Sequence, residues 1–400
     1  MTPAALDAAI ARAVEARARL RDRPLERTVA ALVAAAARWR DDGVLAARLP
    51  EEARLAPAMV AAVMPLAAGA LEPDAMGVLV EREHGPGALR RGAPDGPAVV
   101  AHVLASNVPA LALPAIALGC LAGAAVVVKS GRHDTASAPA FVRALAAADP
   151  DLADTVVAAY WPGGDRPREE AALRRADVVV ASGGADAVAA LAARSRTRLV
   201  AHGPRWSVAA VGDADPEAAA AALARDVALY EQRGCLSPHA VWVAGDARGF
   251  AARLARALDA VAAELPPIGA DVAGRAARRV LLDEAEWTPG AAAWSGPGGA
   301  VVYDPEPAFR PTCALRTIRV HPLPAPAALP ALLPPGAIEC VGLAGVDAAP
   351  LAPALRARGV ARVCALGRMQ MPRLTWPCGQ AAPLGALLGR SGPPLLEVEP

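Results

Sequence analysis

The chain has 400 residues, enough to bury a large core and more comfortable as two domains than as one. Its 41 Lys and Arg nearly cancel 40 Asp and Glu, with no long run of like charge, so no footprint for nucleic acid is present. Six cysteines, at 120, 235, 313, 340, 364 and 378, lack CxxC or Cys/His ligand spacing, which argues against a disulfide framework and a bound metal.

The amino terminus, MTPAALDAAIARAVEARARLRDR, mixes charge with Ala and Leu and lacks the apolar block of a secretory signal. It reads as an amphipathic helix of a cytoplasmic protein. Helical periodicity continues over residues 3 to 85, broken near Pro24, Gly43, Pro50 and Pro65. From Pro97 short apolar strands alternate with Ala-rich helices. Strands are predicted at Ala98–Leu104, Ala125–Lys129, Thr155–Trp161 and Val178–Ala181, with helices from Pro109, from Ala136 and over Glu169–Arg175. That alternation predicts a parallel sheet covered by helices on both faces.

A second series follows: strand Trp206–Val211, helix Pro216–Tyr230, strand Ala240–Val243, helix Asp246–Glu264 and strand Val280–Leu282. His321–Pro335 is Pro-rich and reads as a connecting loop with a short helix. Strands near Ile338–Leu343 and Ala361–Leu366 close the pattern. The fold expected is α/β, two lobes each with a mostly parallel sheet, preceded by a helical lead-in. The division is placed at residues 1–206 and 207–400. Val108 to Val128 carries no charge and is long enough to span a bilayer, but Pro109, Pro114, Gly119 and Gly123 break it into a turn, a short helix and a strand. No membrane span is expected.

All but one of the basic side chains are arginine; the single lysine is Lys129 and the single asparagine is Asn107. Where arginine is used almost everywhere, a retained lysine points to a site that needs a compact ammonium rather than a planar fork. An asparagine amide likewise supplies a neutral donor and acceptor that Asp and Arg lack.

The order of features is strand, Asn107, Pro109, buried helix, strand ending in Lys129, turns at Pro162-Gly163-Gly164, Gly183-Gly184 and Gly203-Pro204, then Gly234-Cys235. This resembles the aldehyde dehydrogenase superfamily. LASNVPALALPAIALGCLAGAAVVVKSGRHD, YWPGGD, DVALYEQRGCLSPHAV and RVCALGRMQMPRLTWP, between Leu104 and Pro377, are most similar to acyl-CoA reductases related to the fatty-acid reductase subunit of bacterial luminescence.

The resemblance implies an aldehyde-dehydrogenase-like fold with a dinucleotide-binding first domain and a catalytic second domain. It makes Cys235 the nucleophile and Asn107, with the Cys235 backbone N–H, the oxyanion donor. Lys129, Arg132, Pro162, Gly163, Gly183 and Gly184 would contact the cofactor. Where oxidising relatives carry a water-activating glutamate in an ELGG-type turn, this chain has Ala201, or His202 under a one-residue shift. The absence of a carboxylate disfavours hydrolysis of an acyl-enzyme. After Lys129, Arg132 stands near the place of a glutamate that suits NAD, which favours NADPH over NADH by pairing with a 2′-phosphate. No counterpart of the glutamate that holds the nicotinamide ribose is evident around Phe309 to Leu315.

The function expected is reduction of a long-chain fatty acyl-CoA, or another acyl-thioester, to the aldehyde, with an acyl-protein synthetase or acyl carrier protein as candidate partner and a homo-oligomeric assembly. The alternatives are an aldehyde-oxidising dehydrogenase and an inactive scaffold that binds an acyl carrier. His239, four residues past Cys235, and His202 are read first as structural histidines, and the other five cysteines as structural thiols.

Overall fold

The computed structural model describes residues 1–93 and 95–399. Five helices (Pro3–Arg19, Leu25–Arg40, Gly43–Ala53, Pro57–Gly69 and Pro73–His84) precede the first strand. Five parallel strands follow: β1 (Val99–Val103), β2 (Ala125–Lys129), β3 (Val156–Ala159), β4 (Val178–Ser182) and β5 (Arg198–His202). Their spatial order is β3-β2-β1-β4-β5.

Alternation along β1 and β2 assigns the two faces. Val99, Ala101 and Val127 pack on Leu6, Ile10 and Ala13 of the first helix. Val100, Val126 and Val128 pack with Leu32, Trp39, Met59 and Phe141 on the other side. Strands covered on both faces read as continuous apolar runs, which is why VVAHV and AVVVK show no polar alternation. Each fully buried Val or Leu contributes about 1.5–3 kcal/mol relative to exposure.

The second sheet has eight strands: β6 (Trp206–Val211), β7 (Pro238–Val243), β8 (Ala292–Gly296), β9 (Gly299–Tyr303), β10 (Thr317–Pro322), β11 (Ile338–Ala344), β12 (Arg362–Ala365) and β13 (Glu397–Val398). Their order is β13-β12-β11-β6-β7-β10-β9-β8, parallel throughout except for the antiparallel β8-β9 pair. Helices Pro216–Ala228 and Ala247–Glu264 cover one face through Leu223, Val227, Phe250 and Leu254. Leu323, Leu329 and Leu355 cover the other.

Several elements differ from the sequence-based expectation. Val280–Leu282 is not a strand but part of the helix Val272–Trp287, capped by Asp271, which accepts from Gly274 N at 2.8 Å. Only Leu281 and Ala285 of that helix are buried, one turn apart, so its apolar signal is too narrow to show a helical period. The hairpin β8-β9, strand β10, strand β5 and the helix Ala185–Ala192 were not anticipated. The Pro-rich stretch begins inside β10, whose last two residues are His321 and Pro322, and contains the short helix Leu329–Leu332.

The uncharged stretch 108–128 is a turn, the ten-residue helix Ala112–Leu121 and the strand β2. Among the described residues no single helix is long and apolar enough to cross a membrane. The pair Pro57–Gly69 and Pro73–His84 has the combined length but bends by 41° and buries Met59, Val63, Met76 and Leu79 in the core.

Candidate active site

Parallel register brings the segments singled out in the sequence to one edge. Val103 of β1 lies level with Lys129 of β2 and Ala181 of β4, and Lys129 lies level with Ala159 of β3. The loops leaving these strands carry Asn107, Ser130 to Arg132, Pro162 to Gly164, and Gly183-Gly184. After β1 the chain builds outward through β2 and β3, then returns to the other side of β1 with β4. The strand order therefore reverses between β1 and β4, where open α/β sheets take ligands at the carboxyl ends of their strands.

Lys129 is half-buried, its ammonium 5.8 Å from the centre of the Tyr160 ring, and burial lowers its pKa against a weaker opposing pull from Glu169. The buried Ser130 hydroxyl has no hydrogen-bond partner. A Cβ added at Gly163, Gly164 or Gly184 would meet nothing within 4 Å, and Gly183 has only the Ala187 Cβ nearby. Arg132 is exposed, with its backbone N–H on Ser106 Oγ at 2.9 Å and its guanidinium 3.3 Å from the His133 ring. An open glycine-lined edge, an unpaired hydroxyl, a compact cation and the free N-terminus of the helix Ala185–Ala192 fit a dinucleotide.

Cys235 lies on the facing edge of the second sheet, just before β7. The helix Pro216–Ala228 starts on Asp215, which caps Glu217 N at 3.1 Å, and stops where Tyr230, Glu231 and Gln232 turn to φ of 56°, 56° and 58°. Three successive left-handed non-glycine residues are strained and persist only where surrounding contacts hold them. Gln232 is buried and donates to Pro238 O and Thr317 O, both at 2.8 Å, while accepting from Thr317 N at 2.7 Å. Glu231 pairs with the buried Arg316, which closes a second left-handed run, Ala314 to Arg316.

The loop is also tied to the first lobe. Asn107 Nδ2 donates to Arg233 O at 2.7 Å, and the Arg233 guanidinium reaches Ala53 O and Arg54 O at 2.9 and 3.1 Å. A Cβ on Gly234 would stand 3.4 Å from Val108, so the Asn107 segment rests directly on the loop. Ser207 Oγ donates to Cys235 O at 2.7 Å and accepts from Cys340 N at 3.2 Å.

Burial pushes the Cys235 thiol up to about 12, with Glu339 adding to the rise. The N–H groups of Cys235 and Leu236 and the Arg205 guanidinium oppose it. At neutral pH the resting side chain is therefore a thiol, and any nucleophilic reaction of it would require a proton acceptor.

His239 does not reach Cys235. Its Nδ1 lies 2.9 Å from Thr312 Oγ1 and accepts Thr312 N at 3.2 Å, and burial lowers its pKa to about 4. Cys120, Cys340 and Cys364 are buried, the last two with sulfurs 3.8 Å apart across β11 and β12. The Cys378 sulfur lies 3.3 Å from His202 Nδ1. The chain has three glutamines, and sequence reasoning passed over them although their rarity parallels that of Lys129 and Asn107. Two brace the cysteine loop: Gln232, and Gln370, which donates to Ser237 Oγ and Asp226 O, both at 3.1 Å.

A model of the acyl-CoA reductase (LuxC) family matches residues 20–387. The chain belongs to that family. Relatives of this chain include the long-chain acyl-protein thioester reductases of Vibrio harveyi, 31% identical over 151 residues, and of Aliivibrio fischeri, 30% identical over 175. These matches take in 36% and 42% of the chain, and 32% and 36% of the relatives, so the chain spans about a third of the length of the relatives it matches. The fold is that of the aldehyde dehydrogenases. The NAD-dependent benzaldehyde dehydrogenase of Corynebacterium glutamicum superposes with a TM-score of 0.70 at 18% identity, covering 91% of this chain and 86% of that one.

Proposed function

We propose that the protein reduces a fatty acyl thioester to the aldehyde through an acyl group carried on Cys235. The observation that carries this reading is the bond from Asn107 to the carbonyl of Arg233, two residues before Cys235. It fastens the chain's one asparagine to the loop of Cys235. An amide nitrogen has two N–H donors, and the second remains for an oxyanion beside Cys235, together with the Cys235 N–H. Family membership and the names of the relatives support an acyl thioester as substrate.

In the acylation step Cys235 Sγ attacks the thioester carbonyl and the carrier thiol departs. Position 201 is alanine, so no carboxylate stands there to activate water, and the acyl-enzyme is kept for reduction. When bound, a nicotinamide cofactor would supply hydride to the acyl carbon, after which the C–S bond breaks and frees the aldehyde. Lys129 would hold the adenosine ribose and Gly183-Gly184 the phosphates, with Pro162 and Gly163 bordering the seat. Arg132 would pair with a 2′-phosphate, which makes NADPH the preferred reductant and NADH the weaker one.

Acyl-CoA, an acyl carrier protein or an acyl-protein synthetase are the carriers proposed, and the working assembly is a homo-oligomer. Incubation with acyl-CoA without reductant should raise the protein mass by one acyl group, and Cys235→Ala should abolish the increase. NADPH consumption across a panel of acyl-CoA chain lengths then defines the substrate. Efficient formation of NADPH from a long-chain aldehyde without a thiol acceptor would show an oxidising enzyme instead.

A further inference from the structure

We propose that His202, Cys378 and Glu339 form a proton relay for Cys235, in which the imidazole takes the thiol proton and Cys378 holds the ring against the Glu339 carboxylate. The proposal rests on the acyl-Cys235 reading above and assigns a second thiol to the same centre.

Four chain segments converge to build the cluster. His202 ends β5, level with Ser182 of β4, and its carbonyl accepts Gly183 N at 3.2 Å. Cys378 lies 176 residues further on, with Sγ 3.3 Å from His202 Nδ1. Glu339 sits at the start of β11 and is fully buried; its Oε1 accepts Gly379 N, the residue after Cys378, at 3.0 Å. Arg205 Nε stands 2.7 Å from Glu339 Oε2, without the alignment of a hydrogen bond, which leaves that oxygen open to a further donor.

Cys235 belongs to the same cluster. Its carbonyl is held by Ser207, which also takes the N–H of Cys340, the neighbour of Glu339. Glu339 and Arg205 act on both sulfurs, and Cys235 acts on Cys378.

A buried carboxylate beside a buried thiol makes the carboxylate the hydrogen-bond acceptor and the S–H the donor. The Cys378 sulfur is then free to accept the Nδ1–H of His202, which puts the lone pair on Nε2. Nδ1 is tied, so Nε2 is the ring atom through which a proton can move. Burial and the Arg205 charge keep the ring neutral at pH 7, the form a base needs. The charged and titratable groups facing the ring are Cys378, Arg205 and, from β1, His102, itself buried and neutral; Glu339 acts through Cys378.

In the acylation step one S–C bond forms at Cys235 and one breaks at the carrier sulfur. The Cys235 proton passes to His202 Nε2 and then to the departing carrier thiolate. Nothing is oxidised or reduced. The Glu339–Cys378 pair stabilises the transient imidazolium, so Cys378 is a positioning residue and His202 the base.

The test is the rate of acyl-enzyme formation, followed by quenched-flow mass spectrometry with acyl-CoA across pH, in the full-length protein without reductant. His202→Gln should slow acylation by about 100-fold and remove its decline at acid pH. Cys378→Ala should slow it by about tenfold and shift that decline to lower pH, since the imidazolium loses its anionic support. Cys378→Ser, whose hydroxyl can both donate and accept, should restore the profile. The pH dependence of Cys235 alkylation by iodoacetamide gives a second readout in each variant, and circular dichroism shows that each has folded. An adduct that persists in Cys235→Ala overturns the parent reading. Loss of the adduct in Cys235→Ala, with wild-type acylation rate and pH profile in His202→Gln and Cys378→Ala, overturns the relay alone.

Discussion

At the scale of single residues, scarcity carried physical information. In a chain with one lysine and one asparagine, both stand where the strands of the first sheet end, Lys129 on β2 and Asn107 in the loop after β1. Arg132, one arginine among many, stands out only by its place after Lys129. Its exposed guanidinium beside the Asn107 loop is suited to a 2′-phosphate, so Arg132→Ala should raise the KM for NADPH by about tenfold and leave that for NADH unchanged, as measured by steady-state kinetics with both cofactors. Cys235 yields a pH prediction of definite sign. Burial favours the uncharged thiol, so iodoacetamide alkylation of the ligand-free protein should be slow at pH 7 and still rising at pH values of about 10, rather than levelling near the usual thiol range.

At the scale of elements, the loop before β7 is held in shape by its partners rather than by its own propensity. Gln232 satisfies three backbone groups of β7 and β10 with one side chain. Gln232→Leu leaves these buried groups unpaired, and urea denaturation should register a loss of about 2–4 kcal/mol, since each orphaned buried group costs about 1–3 kcal/mol before relaxation. A companion effect concerns Gly131. A Cβ there would lie 2.4 Å from Ala105 O and 2.9 Å from Ser106 Cα, both backbone atoms. Gly131→Ala must therefore displace the loop that carries Asn107, and acylation should fall by about 100-fold while circular dichroism stays unchanged. The erroneous strand at Val280–Leu282 and the unanticipated β8 to β10 share a cause. Their apolar runs are short: β8 and β9 are bounded by Gly296 and Gly299, and Ile318 and Val320 of β10 alternate with the buried Arg319 and His321, so neither the helical nor the strand period is sampled long enough to decide.

At the scale of the whole molecule, segments from the two sheets are joined: Asn107 after β1 bonds Arg233 before β7, and His202 at the end of β5 meets Cys378, whose neighbour Gly379 bonds Glu339 of β11. The closing segments bind the lobes together. Glu83 of the lead-in accepts Leu384 N and Gly385 N at 2.9 and 2.8 Å, capping the C-terminal helix Pro383–Leu388 from another part of the chain. Asp226, on the helix before the cysteine loop, accepts Gly367 N at 2.6 Å and Met369 N at 3.1 Å, fixing the segment that carries Gln370. Burial raises the Asp226 pKa to about 7 against those bonds. The folded state then keeps a proton that the unfolded chain releases near pH 4, so this residue makes stability fall as pH rises from about 4 to about 7. Thermal melts across that window should show the decline in the wild type and a flatter profile in Asp226→Asn.

The sequence by itself determined the α/β alternation, the covered first sheet and the chain order in which Asn107, Lys129, Gly183-Gly184 and Cys235 appear. These rest on local periodicity and on residue chemistry, which a linear chain displays directly. It could not show which sheet edges face one another, because strand order and register arise from packing between distant segments. Tertiary structure therefore decided that Asn107 latches the loop of Cys235 from 126 residues away in the chain, measured to Arg233, and that Cys378 meets His202 across 176 residues. A thiol that stands near a turn without a partner in sequence acquires a base and a carboxylate only when β5, β11 and the C-terminal segment are brought together.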